Sequence, residues 1–216
     1  MKKNLTFQWA GVIGLLAGLA WGGTVAVTPA SKTYLQTQLT NGVAVSPLPI
    51  TLSGWGDTNL TVTSTGGGTI FTVAVTPEGG PQTTNRVLAL TPKGRAGSET
   101  VIVSVSGSDL TPAFTNVSLA VTAVPVLSGL PAAVSFKEDT VFTTNFVVMY
   151  WGNSNDLDWA ATIVTGAKVL KTADFIGTSL SRSLRLTPDN NKFGSASVMV
   201  VVSEHDGTHS ATQMVD

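Results

Sequence analysis

The segment RVLALTP at residues 86–92 recurs 96 residues later as RSLRLTP at residues 182–188. Both segments place leucines at alternate positions and end in Thr-Pro. At the same spacing, Trp55 falls opposite Trp151. A repeat of this length is too long for a solenoid unit and matches the size of one small β-sandwich domain. The chain is therefore predicted to contain two copies of a single unit.

Outside these segments, the apolar residues of both copies follow the period of a β-strand. Val101, Val103 and Val105 would share one face of a strand, and three valines recur at positions 198, 200 and 202. Gly and Pro residues separate such segments at intervals of about 8 to 12 residues. No segment beyond the N-terminus has the pattern of a helix. We therefore predict an all-β chain of antiparallel, two-sheet sandwiches.

Composition agrees with this fold class and excludes several functions. Charged residues make up 12% of the chain and hydrophobic residues 43%, with 22 glycines and a formal net charge of −1. So little charge, with no basic stripe, argues against nucleic acid as a partner. Because the chain has no cysteine, disulfides, thiolate catalysis and Cys-ligated zinc are excluded. Each unit must be held together by packing alone.

The N-terminus has the composition of an export signal. Two lysines precede an uncharged stretch from Leu5 to Val27 that ends in small residues. We predict a signal peptide helix within residues 1–30, with cleavage after Ala26 or Ala30, and a secreted or cell-surface protein. An uncleaved membrane anchor is the alternative, since the stretch is long enough to span about 30 Å of hydrocarbon. Membrane contact is expected only through this segment.

The domain organisation follows from the repeat. We assign residues 33–124 to the first unit, 125–131 to a short linker with two prolines, and 132–216 to the second unit. Aligned on the first unit, the second stops before its last strand is complete. A shortened edge strand and a fragment of a longer tandem array both explain this difference.

The second copy combines Glu138-Asp139-Thr140, the segment at 182–188, the turn at 191–196 and the Asp206-Gly207 pair. In these features it resembles bacterial tandem repeats of the immunoglobulin-like and cadherin-like superfamily. The resemblance implies two tandem antiparallel immunoglobulin-like (cadherin-like) β-sandwich domains that act as spacers or adhesive modules. Related families bind calcium between repeats, but the first copy has Gly42-Val43 in place of the acidic pair.

Calcium is the metal that the carboxylates of the second copy could bind. It takes six to eight oxygen ligands, usually from several carboxylates and backbone carbonyls. Solvated loop carboxylates that keep a sheet edge soluble are the alternative interpretation. The candidate calcium ligands are Glu138, Asp139, Asp156, Asp158 and Asp206.

Two further groups of residues have both a functional and a structural interpretation. His205 and His209 could bind zinc, but the Asp-Gly pair between them predicts the tip of a hairpin. The aromatic residues could stack on sugars if Tyr150, Trp151 and Trp159 shared an open face. We expect instead that Trp151, like its counterpart in the first copy, fills a gap in the core or at the end of its own unit.

These observations predict a non-catalytic extracellular spacer or adhesive module, with no cofactor. Its partner would be a protein or glycan surface that the sequence does not identify. A carbohydrate-binding accessory module and a calcium-binding adhesion repeat are the alternatives. No nucleophile elbow, phosphate loop or zinc-protease motif is present in the sequence, so we do not expect an enzyme.

Overall fold

The computed structural model describes residues 23–55, 60–77, 86–107 and 110–216, and in these ranges nearly all regular structure is β-strand. The predicted signal helix falls mainly on residues outside these ranges, so it stays a prediction. Among the described residues, no helix has the length and apolarity needed to cross a membrane.

The first half of the chain forms two facing sheets. One has the strand order β1-β3-β6-β5 and the other the order β2-β8-β7-β4. The strands are β1 (Thr24–Val27), β2 (Ser31–Leu35), β3 (Leu48–Ser53), β4 (Thr61–Gly66), β5 (Phe71–Pro77), β6 (Arg86–Pro92), β7 (Gly97–Gly107) and β8 (Leu110–Thr122).

The second half repeats this arrangement. One sheet has the order β12-β13-β10-β9 and the other the order β11-β14-β15. The strands are β9 (Val126–Ser128), β10 (Phe142–Met149), β11 (Leu157–Thr165), β12 (Leu170–Ile176), β13 (Ser181–Pro188), β14 (Ser197–Glu204) and β15 (Ser210–Val215).

The two repeated segments lie in the centre of equivalent sheets. Residues 86–92 form β6 and residues 182–188 form β13, and their alternating leucines point into separate cores. The three valines of β7 and the three of β14 are fully buried in the same way. Each half is thus an immunoglobulin-like sandwich with sheets of the A-B-E-D and C-F-G type. The predicted fold class is confirmed.

One pair of strands departs from the predicted antiparallel arrangement. β2 runs parallel to β8, with Ser31 opposite Ser118 and Leu35 opposite Thr122. The chain leaves β1 in one sheet, crosses at Thr28 and Pro29, and joins the edge of the other sheet as β2. Because it continues in the same direction after crossing, it meets β8 in parallel.

Two strands of the structure fall inside ranges that the sequence assigns to other segments. Residues 24–27, inside the range assigned to the signal peptide, form β1 and pair with β3. Residues 126–128, inside the range assigned to the linker, form β9 and pair with β10. Both are short edge strands, the places in a sheet where nearby prolines are tolerated. Proline-rich sequence was therefore compatible with a strand as well as with a linker.

Candidate functional site: the junction between the two sandwiches

The junction between the sandwiches is built around the side chain of Gln36. Gln36 directly follows β2 and is only 5% exposed. Among the described residues, its side chain is the one polar side chain classed as buried. Its Oε1 accepts hydrogen bonds from the backbone N–H of Trp151 at 2.9 Å and of Val124 at 3.3 Å. Its Nε2 donates to the carbonyl of Met149 at 3.1 Å. A single amide therefore ties the first sandwich to the connection and to the end of β10.

Trp151 completes this contact from the second sandwich. Its carbonyl accepts a hydrogen bond from the N–H of Ala96, in the turn between β6 and β7, at 3.1 Å. Its half-buried side chain packs against the core of the first sandwich. We expected Trp151 to pack in the core or at the end of its own unit. It does lie at the end of that unit, but its indole packs on the core of the other sandwich. The difference arises because β10 ends at the face where the two sandwiches meet.

The counterpart, Trp55, does stay within its own unit. It packs against the first core, and its Nε1 donates to the carbonyl of Thr24 in β1 at 3.0 Å. Equivalent positions in the repeat therefore have different roles. Trp55 holds an edge strand to its own sandwich, whereas Trp151 joins two sandwiches.

A second hydrogen-bonded group lies next to the junction. The hydroxyl of Tyr150 donates to Oε1 of Glu204 at 2.7 Å, and Nδ1 of His209 lies 2.7 Å from Oε2 of the same carboxylate. Burial, followed by this hydrogen bond to Glu204, raises the pKa of Tyr150, so the phenol remains a donor. Glu204 thereby holds the side chain of Tyr150, which directly precedes Trp151 in the chain.

His205 takes no part in these hydrogen bonds and pairs instead with Asp158. Nδ1 of His205 lies 2.8 Å from Oδ1 of Asp158, and both side chains are more than half exposed. The hydrogen bond to Asp158 raises the pKa of His205. His205 and His209 therefore bind different carboxylates on either side of the Asp206-Gly207 turn. In the described part of the chain, no three metal-binding side chains gather around either ring.

The predicted calcium ligands fall into two separate groups. Glu138 and Asp139 precede β10, whereas Asp156, Asp158 and Asp206 lie beyond its other end. Eight residues of strand separate the groups by about 26 Å, so the structure does not bring all five together. Three of the carboxylates, those of Asp139, Asp158 and Asp206, already have partners within the protein.

Asp139 occupies a structural position in its loop. It has φ of 57°, in the left-handed region where Asp and Asn are tolerated better than most residues. Its Oδ1 accepts a hydrogen bond from the N–H of Asn191 at 2.8 Å. The acidic pair therefore belongs to a turn that the Asp139 side chain closes.

The aromatic residues that could have formed a sugar-stacking face are dispersed. Tyr150 is bound to Glu204, Trp151 packs on the first core, and Trp159 packs on the second core. The ring of Trp159 contacts Phe146 and Phe175, and the guanidinium of Arg182 lies 3.9 Å from its centroid. Because the three rings serve three separate contacts, they do not form a common platform.

Sequence reasoning missed Gln36 and Glu204, the two residues that organise the junction. Gln36 follows a short strand and resembles any exposed polar residue in the sequence. Glu204 belongs to the segment that suggested a hairpin tip. The one available signal was that Tyr150 and Trp151 follow an alternating strand directly, which places two large rings at the end of a sandwich.

Comparisons with known proteins assign no family to this chain. No family model matches the chain, and no curated protein sequence matches it. Solved structures with similar folds include human protocadherin-24 EC1-2, at 15% identity over 92% of this chain and 98% of that chain, with a TM-score of 0.35. Another is the S-layer protein SbsC, domains 5-6, at 18% identity over 89% and 96%, with a TM-score of 0.31.

The Yersinia pseudotuberculosis adhesin InvE is a further structural match. It is 16% identical over 89% of this chain, with a TM-score of 0.34, and the match spans 58% of the adhesin chain. Identities and scores this low establish no shared function. The strand order, the register and the two separate cores identify this chain as a tandem pair of immunoglobulin-like sandwiches.

Proposed function

We propose that this protein is a non-catalytic structural module of an exported protein, in which two sandwiches are joined end to end as one stiff spacer. The observation that carries the proposal is the side chain of Gln36, which is buried between the units and bonded to three backbone groups. A flexible tether would not require a buried amide at its junction, because water would satisfy the same groups.

The hydrogen bonds at Gln36 favour one relative orientation of the units. A buried donor or acceptor that loses its partner costs about 1–3 kcal/mol, so bending that separates Gln36 from Trp151 and Met149 is disfavoured. The indole of Trp151 adds apolar contact across the same junction. A spacer needs such resistance to bending in order to hold attached groups at a fixed distance.

The proposal is tested by the rotational motion of the whole chain in solution. β6 reports on the first sandwich and β13 on the second. The backbone ¹⁵N relaxation rates of both strands should fit one common anisotropic tensor of rotational diffusion. In Gln36→Ala, the two sandwiches should require separate tensors, whereas Thr37→Ala, an exposed neighbour, should behave like the wild type. Separate tensors in the wild-type chain would contradict the spacer function.

Export is a separate part of the proposal and needs its own experiment. A reporter enzyme that is active only outside the cytoplasm would be fused after Asp216. We expect reporter activity with the full chain and loss of that activity when residues 1–22 are deleted. Equal activity of both fusions, or activity of neither, would contradict export through the N-terminal segment.

A further inference from the structure

The central strand β14 is apolar on both of its faces, although the core of the second sandwich covers only one of them. Val198, Val200 and Val202 point into that core and are at most 1% exposed. Met199 and Val201 alternate with them, so they point outward, where they are half-buried. An apolar run of this kind is typical of strands that are covered on both sides. The outward side of β14 therefore has the composition of a contact surface.

The strands on either side of β14 extend this surface. Met199 lies between Thr162 of β11 and Met214 of β15, and the next outward position, Val201, has a neighbour on each of the same two strands. Met214 is 39% exposed. We call the surface the methionine face and define it by two rows across the three strands. Its members are Thr162, Met199 and Met214 in one row, and Ala160, Val201 and Thr212 in the other.

The outward side of the other sheet in the same sandwich is polar. There, Arg185 of β13 forms a 2.8 Å ion pair with Asp174 of β12, and the hydroxyl of Ser183 donates to Oδ1 of Asn145 at 2.6 Å. None of the six residues of the methionine face is charged. One sheet of this sandwich is thus suited to water, whereas the other has the character of an interaction site.

We propose that the methionine face binds the same face of a second copy of this chain, with the two sheets packed around a two-fold axis. A two-fold contact places one patch against itself, so the contact between these faces buries no charged side chain. With the axis perpendicular to the strands, the end of β11 at Asp158 lies over the end at Val164 of the second copy. The two Asp158 carboxylates are then kept apart.

The size of the methionine face agrees with a weak dimer. The eight residues of β14, at about 3.4 Å each, and three strands about 4.8 Å apart give about 500 Å² with the side chains along both edges. Two such faces would bury about 1,000 Å², the lower limit for a specific interface. Methionine side chains adapt to a facing surface and so favour this contact. We expect reversible dimerisation with a Kd on the order of 0.1 mM.

The first experiment is sedimentation velocity of the whole chain between about 10 µM and 1 mM, a range that spans the expected Kd. Thr162→Glu places a charge within the methionine face. Thr172→Glu places the same charge at an exposed threonine of β12, an edge strand of the other sheet. We expect the wild type and Thr172→Glu to approach twice the monomer mass at the highest concentration, and Thr162→Glu to remain monomeric. A monomeric wild type, or equal association of both variants, would overturn the proposal.

Methyl NMR of the methionines locates the contact. Dilution of the wild-type chain should shift the methyl resonances of Met199 and Met214 along one common binding curve. Met149 is the matched control, because it is 51% exposed but lies on β10 in the other sheet. Its resonance should stay in place. A dilution shift of Met149 without one of Met199 would put the contact on a different surface and contradict the proposal.

Discussion

The backbone N–H of Trp151 donates to Oε1 of Gln36 at 2.9 Å, although 115 positions separate the two residues in the chain. The bond joins the end of β2 in the first sandwich to the end of β10 in the second. The indole of the same Trp151 packs on the first core. Polar and apolar contacts thus coincide at one residue, which makes the junction a defined structure.

Removal of the Gln36 side chain should weaken this junction. Gln36→Ala leaves the Trp151 N–H and the Met149 carbonyl without their partner, and we expect a loss of about 1–3 kcal/mol in the free energy of unfolding. Chemical denaturation followed by tryptophan fluorescence measures this loss. Thr37→Ala, which lies beside it and is exposed, is the control. A Gln36→Ala variant as stable as this control would contradict the role assigned to the amide.

Gln36→Glu separates hydrogen bonding from packing. The carboxylate can still accept from the Trp151 N–H, but it cannot donate to the Met149 carbonyl, and it introduces a buried charge. We therefore expect Gln36→Glu to be at least as destabilising as Gln36→Ala above pH 6, with partial recovery on acidification. The pH dependence of the unfolding midpoint measures this effect. A Glu variant that matches the wild type at neutral pH would show that the amide donor is dispensable.

Trp151→Ala should loosen the first sandwich, although Trp151 belongs to the second by sequence. The indole contacts the first core, and truncation of a half-buried aromatic ring costs about 1–3 kcal/mol. Hydrogen exchange should show lower protection in β6 and β7, whereas β14 should change less. Loss of protection confined to β14 would mean that Trp151 stabilises only its own unit.

Arg182→Ala should destabilise the second sandwich through the loss of stacking on Trp159. The guanidinium lies 3.9 Å from the ring centroid, and partly buried cation–π contacts contribute about 0.5–2 kcal/mol. Arg182→Lys should recover part of this loss, because it keeps the charge but not the planar stack. Thermal unfolding of both variants measures the effect. Identical melting temperatures for Arg182→Ala and the wild type would contradict it.

The pair of His205 and Asp158 should be visible in a pH titration. The hydrogen bond to Asp158 raises the pKa of His205 in the folded protein. The stabilisation from this pair is therefore fully present below the ordinary histidine value of 6.5 and is lost as pH rises through the folded pKa. In an NMR titration, Asp158→Asn should lower the His205 midpoint and Asp139→Asn should leave it in place. An unchanged midpoint in Asp158→Asn would contradict the pairing.

The repeat and the strand alternation made the fold predictable, because both reflect burial. Val101 and Val198 face the cores of their sandwiches. Because every second side chain of a strand points to the same face, burial of one face appears in the sequence as an apolar residue at every second position. The edge strands β1 and β9 were harder to predict, because each has only a few apolar residues beside a proline. The parallel pairing of β2 depends on a crossing between sheets that leaves no sequence pattern.

The junction could not be predicted from the sequence for a different physical reason. Gln36 owes its burial to a second sandwich that arrives more than a hundred residues later, and nothing near Gln36 encodes that contact. Trp151 and Trp55 occupy the same place in the repeat, yet only the end of β10 faces a neighbouring unit. Contacts between repeats are not themselves repeated, so alignment of the two copies conceals them.

The most direct test of a stiff junction is the distribution of distances between two spin labels, one on each sandwich. Cysteines at Thr63 in β4 and Thr162 in β11 would carry the labels, since both positions are exposed and the chain has no other cysteine. Pulsed electron–electron double resonance should give one narrow distance distribution in the wild-type background and a much broader one in Gln36→Ala. A broad distribution in the wild-type background, unchanged by Gln36→Ala, would contradict the stiff junction.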